Sequence, residues 1–394
     1  MAGFSNQLHL LHSPPFLLES PACPIHQPIF PNTMTSALFA PLQLRGLTLP
    51  NRIVVSPMCQ YNSEHGSAND WHLMHLGQFA MGAAGLLITE ATHVSPIGRI
   101  THRCLGLYDD DNEATLKRVV DFCRRYGVAK LGIQLAHAGR KGSVHPPAAG
   151  SKPLAADENP WTTVAPSALP FGPGWHTPVA LTRAGLAEVR DQFVDAARRS
   201  LRIGFDLIEL HAGHGYLLHE FLSPIANQRE DEYGGSTANR MRFPLEVFAA
   251  VRAEWPADRP LGVRVSATDW IDGGWTVEET VLFARELKAL GCDFLDVTSG
   301  QLDPRQKIPL APGYNVPLAH KVKSESGIVT MAVGLVTKAR QAEEIVAFGQ
   351  ADLIALARGM MDDPRWAWRA ARELGAQAPY PAMYVRCSPA QWQP

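Results

Sequence analysis

At 394 residues, with 19% charged and 46% apolar side chains and a formal net charge of −2, the chain has the profile of a globular enzyme with one large core. It lacks the basic excess that nucleic acid or an anionic membrane surface would call for. No run of about 20 unbroken apolar residues offers a membrane span. The six cysteines (Cys23, Cys59, Cys104, Cys123, Cys292, Cys387) show no C-x-x-C pair, which argues against a disulfide framework or a metal cluster and fits a reducing cytoplasm.

Residues 1–33 are rich in Pro, His and Ser, hold Glu19 as their lone acid and contain no Lys or Arg, so neither a secretory leader nor a transit peptide is visible. They read as a disordered extension or a start assigned too early, with the fold beginning near Met34. From there, apolar and β-branched runs recur at 52–56, 85–91, 130–137, 205–213, 261–267, 294–300, 328–334 and 353–359. Helical periodicity occupies 71–83, 112–126, 183–203, 240–254, 277–290, 337–348 and 365–374. Eight strands alternating with helices predict a parallel (β/α)8 barrel, a TIM barrel. The first strand-to-helix turn, SPMCQY, has no glycine, unlike a doubly wound dinucleotide fold. Polar residues Cys59, Glu90, Gln134, His137, His211, His214 and Arg264 fall at or just past strand ends, which converge on one barrel mouth. The long Pro-, Ala- and Gly-rich connection from about 139 to 178, after the third strand, is expected to cap that mouth.

Three motifs carry chemistry. In HAGHGYLLHEFLSP (211–224), His211 and His214 can donate to one ligand oxygen and Tyr216 can deliver a proton, although histidines there also serve as backbone caps. In NRIVVSPMCQY (51–61), Cys59 and Tyr61 can face a bound ring system, or Cys59 can be an inert buried thiol. AVGLVT (332–337) and LARGMMDDP (356–364) place Gly334 and Arg358 after the last two strands, where barrels hold phosphate. Gln134 and Arg264 offer donors to the same mouth. His137, His211, His214 and His219, with Asp269 and Asp296, form no recognised metal-ligand spacing, so no metal is expected.

Taken together, SPMCQY, IQLAHAGR (133–140), HAGHGY followed by FLSPIANQREDEYGGSTANRMRF, and ARGMMDDP resemble the old yellow enzyme family of flavin ene-reductases, from Met34 to the C-terminus. The cysteine in the first motif and the short arginine-containing tail resemble the branch of xenobiotic reductases and thermophilic-type ene-reductases. The resemblance implies FMN as cofactor, NADPH or NADH as reductant, and reduction of the C=C bond of α,β-unsaturated carbonyl or nitro compounds. It implies that Ser56, Pro57, Met58, Cys59, Ala91, Gln134 and Arg264 line the flavin ring and that Gly334, Ala357 and Arg358 hold its phosphate. Cys59 would tune the flavin, His211, His214 and Tyr61 would bind the substrate oxygen, and Tyr216 would donate the proton. Arg386, in YPAMYVRCSPAQW, would reach a neighbouring subunit's site, implying a homodimer or homotetramer, although the tail beyond it departs from the Gly-Trp ending of part of that branch. Val333 stands where some relatives carry tryptophan, which would enlarge the pocket wall.

Two other classes are alternatives to this reading. A metal-dependent barrel hydrolase would need bound zinc, would be inhibited by chelators and would be colourless. A non-enzymatic FMN-binding scaffold would be yellow but would not turn over, and the set of His211, His214 and Tyr216 argues against it. Among flavin barrels, dienoyl-CoA reductase or amine dehydrogenase relatives carry clustered cysteines and additional domains.

Overall fold

The computed structural model describes residues 36–392; the extension expected over 1–33 lies outside the described residues. Eight parallel strands close into a barrel in chain order. They are β1 (Ile53–Val55), β2 (Leu86–His93), β3 (Lys130–Ala136), β4 (Leu207–Ala212), β5 (Leu261–Ser266), β6 (Phe294–Thr298), β7 (Val329–Val333) and β8 (Leu353–Leu356). Both faces of these strands are covered, which is why they read as continuous apolar runs rather than alternating ones. The outer ring is α1 (Asp70–Ala80), α2 (Asp110–Tyr126), α3 (Arg183–Ile203), α4 (Thr237–Glu254), α5 (Val277–Ala289), α6 (Val316–Ser326), α7 (Ala339–Ala347) and α8 (Trp366–Glu373).

Side chains fill the barrel. Val54, Leu86, Ile88, Leu207, Phe294, Met331, Leu353 and Ala355 form one interior layer. Leu44 and Leu49 join it from an antiparallel hairpin, Leu42–Leu44 with Leu47–Leu49, that precedes β1 and was not expected from the sequence. Apolar packing therefore closes the interior on one side and leaves the polar mouth for chemistry. The sequence reading also missed α6, whose buried residues Val316, Ala319 and Val322 recur every third position and lack the i+4 partners that mark an amphipathic stripe. Gln134 and Arg264 lie two residues inside β3 and β5 rather than at their ends, so both point into the barrel below its rim.

The capping connection after β3 has the expected place, built from short turns at Gly139–Lys141, Pro147–Ala149 and Ala156–Glu158. It is held by a two-strand pairing of Val164–Ala165 with Val179–Ala180. No helix among the described residues is long and apolar enough to cross a membrane.

Candidate active site

The loop after β4 arranges the principal donors. His214 adopts φ +57, a conformation uncommon outside glycine, and its backbone N–H is held by Ser266 Oγ at 2.9 Å. The turn packs His211 against His214, ring centroids 5.1 Å apart, and against Tyr216 at 5.2 Å. His211 Nδ1 accepts from the N–H of Gly213 at 3.3 Å, so the neutral ring carries its proton on Nε2. His214 Nε2 lies 3.1 Å from Thr298 Oγ1. Burial, with Arg264 nearby, pushes both imidazoles well below the usual histidine range. Both are therefore neutral hydrogen-bond donors.

A second loop faces them. Tyr61, at φ +51, and Cys59 join Trp175 and Tyr216 around the buried cluster Ile100, Cys104, Ala138 and Val144. Burial raises the Tyr61 and Tyr216 phenols above their ordinary range and keeps both protonated at neutral pH. Burial, then the Glu90 carboxylate, also raises Cys59, which stays a thiol and is not primed as a nucleophile. Glu90 itself is not at a strand end. It occupies a β-bulge between Thr89 and Ala91, and its carboxylate accepts from the N–H of Gln60 at 2.9 Å, with His72 Nε2 at 3.4 Å. The bulge fixes the loop that carries Cys59 and restores the pairing of Ala91 with Gln134.

Two cavities adjoin this group. One, of about 280 Å³, lies under the cap and is lined by Tyr61, Tyr216, Lys141, Phe171, Trp175 and Gln301, among others. The other, of about 200 Å³, is lined by His214, Arg264, Thr298, Gly334, Ala357 and Arg358, among others. Arg264 is buried beside the Asp296 carboxylate (Nε to Oδ2, 3.1 Å) and is also one of the residues lining that cavity. Ser56, at the end of β1, is fully buried, and Pro57 and Met58 follow at half-buried positions. The β7 and β8 loops form the outer wall, where Arg358 is exposed and Gly334 has φ +123. A Cβ on Gly334 would stand 2.9 Å from Asn315 Nδ2, and Asn315 is fixed by Ser299 Oγ at 2.7 Å. Gly334→Ala is therefore expected to cost about 1–3 kcal/mol, read by thermal denaturation, and an unchanged melting temperature would contradict this packing.

Several residues that the sequence reading grouped here do different work. His137 Nδ1 accepts from the N–H of Gly139 at 3.1 Å, and burial holds its ring at about 3. His219 is buried against Asp269 at 3.0 Å, and its Nδ1 takes the N–H of Gly215 at 2.9 Å, buttressing the loop from behind. Among the described residues no group of three or more His, Cys, Asp or Glu side chains is placed to hold a metal ion. Arg386 is exposed in the turn Ala382–Cys387 and lines neither cavity. The chain around it folds back on α8, with Tyr380 stacked on Trp368 at 4.5 Å and Cys387 O accepting from Arg372 at 3.0 Å. Lys141 was missed. Its ammonium donates to the carbonyls of His214 and Gln301, each at 2.8 Å, and sits 5.2 Å from the Tyr216 ring centre. The IQLAHAGR run that ends just before it was legible, but the return of the cap onto the β4 loop was not.

The sequence and the fold have counterparts among known proteins. A sequence model of the NADH:flavin oxidoreductase / NADH oxidase family matches residues 37–377. An NADPH dehydrogenase of Geobacillus thermodenitrificans (strain NG80-2) is 45% identical over 355 residues, covering 90% of this chain and 99% of that protein. Morphinone reductase superposes with a TM-score of 0.73 at 28% identity, covering 91% of this chain and 93% of its own. The complex of 2-naphthoyl-CoA reductase with 2-naphthoyl-CoA gives a TM-score of 0.77 at 25% identity over 86% of this chain, which spans 53% of that longer protein.

Proposed function

The chain belongs to the NADH:flavin oxidoreductase / NADH oxidase family, that of the old yellow enzymes, and is an FMN-dependent NADPH dehydrogenase; from that premise we propose that it reduces the C=C bond of α,β-unsaturated carbonyl and nitro compounds. The observation that carries the reading is the convergence of two neutral histidines and two protonated tyrosines beside adjoining cavities. A metal-dependent hydrolase has no comparable support.

The residues suit FMN on three counts. Arg264 presents a buried cation to a cavity wall, where an acceptor-rich pyrimidine edge would match it. Ser56 Oγ is buried with no protein partner, and the loop wall at Gly334 and Arg358 allows close approach of a phosphate. Ser56, Pro57, Met58, Cys59, Ala91, Gln134 and Arg264 would hold the ring, with Gly334, Ala357 and Arg358 on the phosphate. When bound, FMN supplies a two-electron carrier that takes hydride from NADPH and gives it to the alkene.

The protein supplies the rest. His211 and His214, aided by Tyr61, hold the carbonyl or nitro oxygen and stabilise the negative charge that develops on it. Tyr216 Oη gives its proton to the α-carbon. The cap residues Phe171 and Trp175 line the substrate cavity, where their apolar rings would exclude water once a ligand is bound. Anaerobic turnover of NADPH and 2-cyclohexenone should yield one cyclohexanone per NADPH and be indifferent to chelators. Absence of the ketone would reject the substrate class.

We further propose that the enzyme is a cytoplasmic homo-oligomer in which Arg386 enters a neighbouring site. The exposed Met383, Tyr384 and Val385 around it supply apolar surface for such a contact, and the five described cysteines are all free thiols. Arg386→Ala is then expected to weaken binding of enone-like ligands about tenfold without releasing FMN, as read by spectral titration. FMN loss, or unchanged ligand affinity, would contradict the assignment.

A further inference from the structure

Beneath the proposed flavin plane the barrel buries more negative than positive charge. Glu209 and Asp296 are both fully buried, on β4 and β6, and Arg264 on β5 lies between them in the strand order. Arg264 Nε is 3.1 Å from Asp296 Oδ2. Glu209 Oε1 accepts from the Gln134 amide at 2.8 Å, across the β3–β4 pairing. The charged or titratable groups that face this pair are few: Arg264 and Asp296 face Glu209, Arg264 faces Asp296, and His211 and His214 above Arg264 are neutral. Two carboxylates therefore share one guanidinium in a closed, low-dielectric interior. An unbalanced buried charge costs several kcal/mol, so the pair is relieved by keeping a proton.

We propose that Glu209 is a proton-holding positioning residue that sets the pH dependence of the flavin's reduction potential. It is a neutral acid under Gln134 in neutral solution and an extra negative charge in mildly alkaline solution. The inference rests on the flavin placement given above, with Gln134 and Arg264 against the ring. Burial and the Asp296 carboxylate push Glu209 well above the usual carboxylate range, and burial raises Asp296 as well. Reduction brings two electrons and one proton from NADPH as hydride and leaves net negative charge beside Arg264. Where Glu209 is ionised, that charge draws one proton onto its carboxylate from hydronium or a buffer acid: the donor's O–H bond breaks, the carboxyl O–H forms, and no further electrons move. Glu209 thus couples reduction to proton uptake above its titration point, through the amide and guanidinium that touch the cofactor.

The test is a spectroelectrochemical titration of the FMN-loaded enzyme and its Glu209→Gln variant at pH 6.5, 8 and 9. At a fixed potential, the ratio of reduced to oxidised flavin should agree between the two proteins at pH 6.5. At pH 9 it should be about tenfold lower in the wild type, because the glutamine mimics the neutral acid. If Glu209→Gln does not hold FMN, wild-type proton uptake on stoichiometric reduction by NADPH gives the same answer. Uptake should rise by up to about one proton per flavin from pH 7 to pH 9, whereas protonation of the ring alone would make it fall. Equal pH dependence in the two proteins, or falling uptake, overturns the proposal. If Arg264→Gln shifts the potential while Glu209→Gln does not, only the role of the pair fails. If neither variant shifts it, the flavin placement fails with it.

Discussion

Tyr216→Phe is expected to slow reoxidation of the reduced enzyme by 2-cyclohexenone about a hundredfold while leaving reduction by NADPH nearly unchanged. The phenol packs against His211 and also lines the substrate cavity. General-acid assistance of this kind contributes roughly 10²–10⁴-fold. Phenylalanine keeps the ring that fills the space beside His211 and under the Lys141 ammonium, so the loop should hold its shape. Burial keeps the Tyr216 phenol above its ordinary titration range, and the wild-type oxidative rate should therefore show no loss from phenol ionisation across neutral pH. Stopped-flow measurement of each half-reaction checks this. Equal slowing of both would remove Tyr216 from the proton-donor role.

The second large effect is expected at His214. His214→Ala should lower kcat/KM for the enone by about 10²–10³, the loss usual for one donor to a developing oxyanion. It should also reduce stability by about 1–2 kcal/mol, because alanine, unlike the residue now held there, has no side-chain bond to offset the left-handed backbone. His214→Asn separates the two effects. Asparagine tolerates φ +57 and its amide can donate, so it should recover much of the activity and most of the stability. Steady-state kinetics with thermal melts of both variants would decide. An Asn variant as poor as the Ala variant would mean that a feature specific to imidazole, rather than donation, matters at this position.

The barrel was legible because its eight strands are buried on both faces and therefore announce themselves as uninterrupted apolar runs. Those runs placed the mouth, and with it His211, His214, Tyr216 and Tyr61. What escaped depends on contacts between segments far apart in sequence. Lys141 reaches the β4 loop only because the cap folds back over the mouth. Glu90 looked like a mouth residue because a bulge leaves no trace in composition, yet the bulge aims it at the Gln60 backbone. The histidines divide for the same reason. His211 and His214 project from one tight turn, whereas His219, five residues beyond His214, has rotated behind it on the short helix Leu217–Leu222 to meet Asp269. Glu209 shows as part of an ordinary strand, and only the register of the β3–β4 pairing and of the strands beyond it sets it against Gln134 and near Asp296.

The measurement that bears most directly on the proposed reaction is an anaerobic visible spectrum of the purified protein, followed by one equivalent of NADPH and then 2-cyclohexenone. A flavin dehydrogenase that reduces enones should show a yellow flavin spectrum that bleaches with NADPH and returns in full with the enone. Bleaching that persists after the enone would contradict the ene-reductase reading while leaving the flavin dehydrogenase in place.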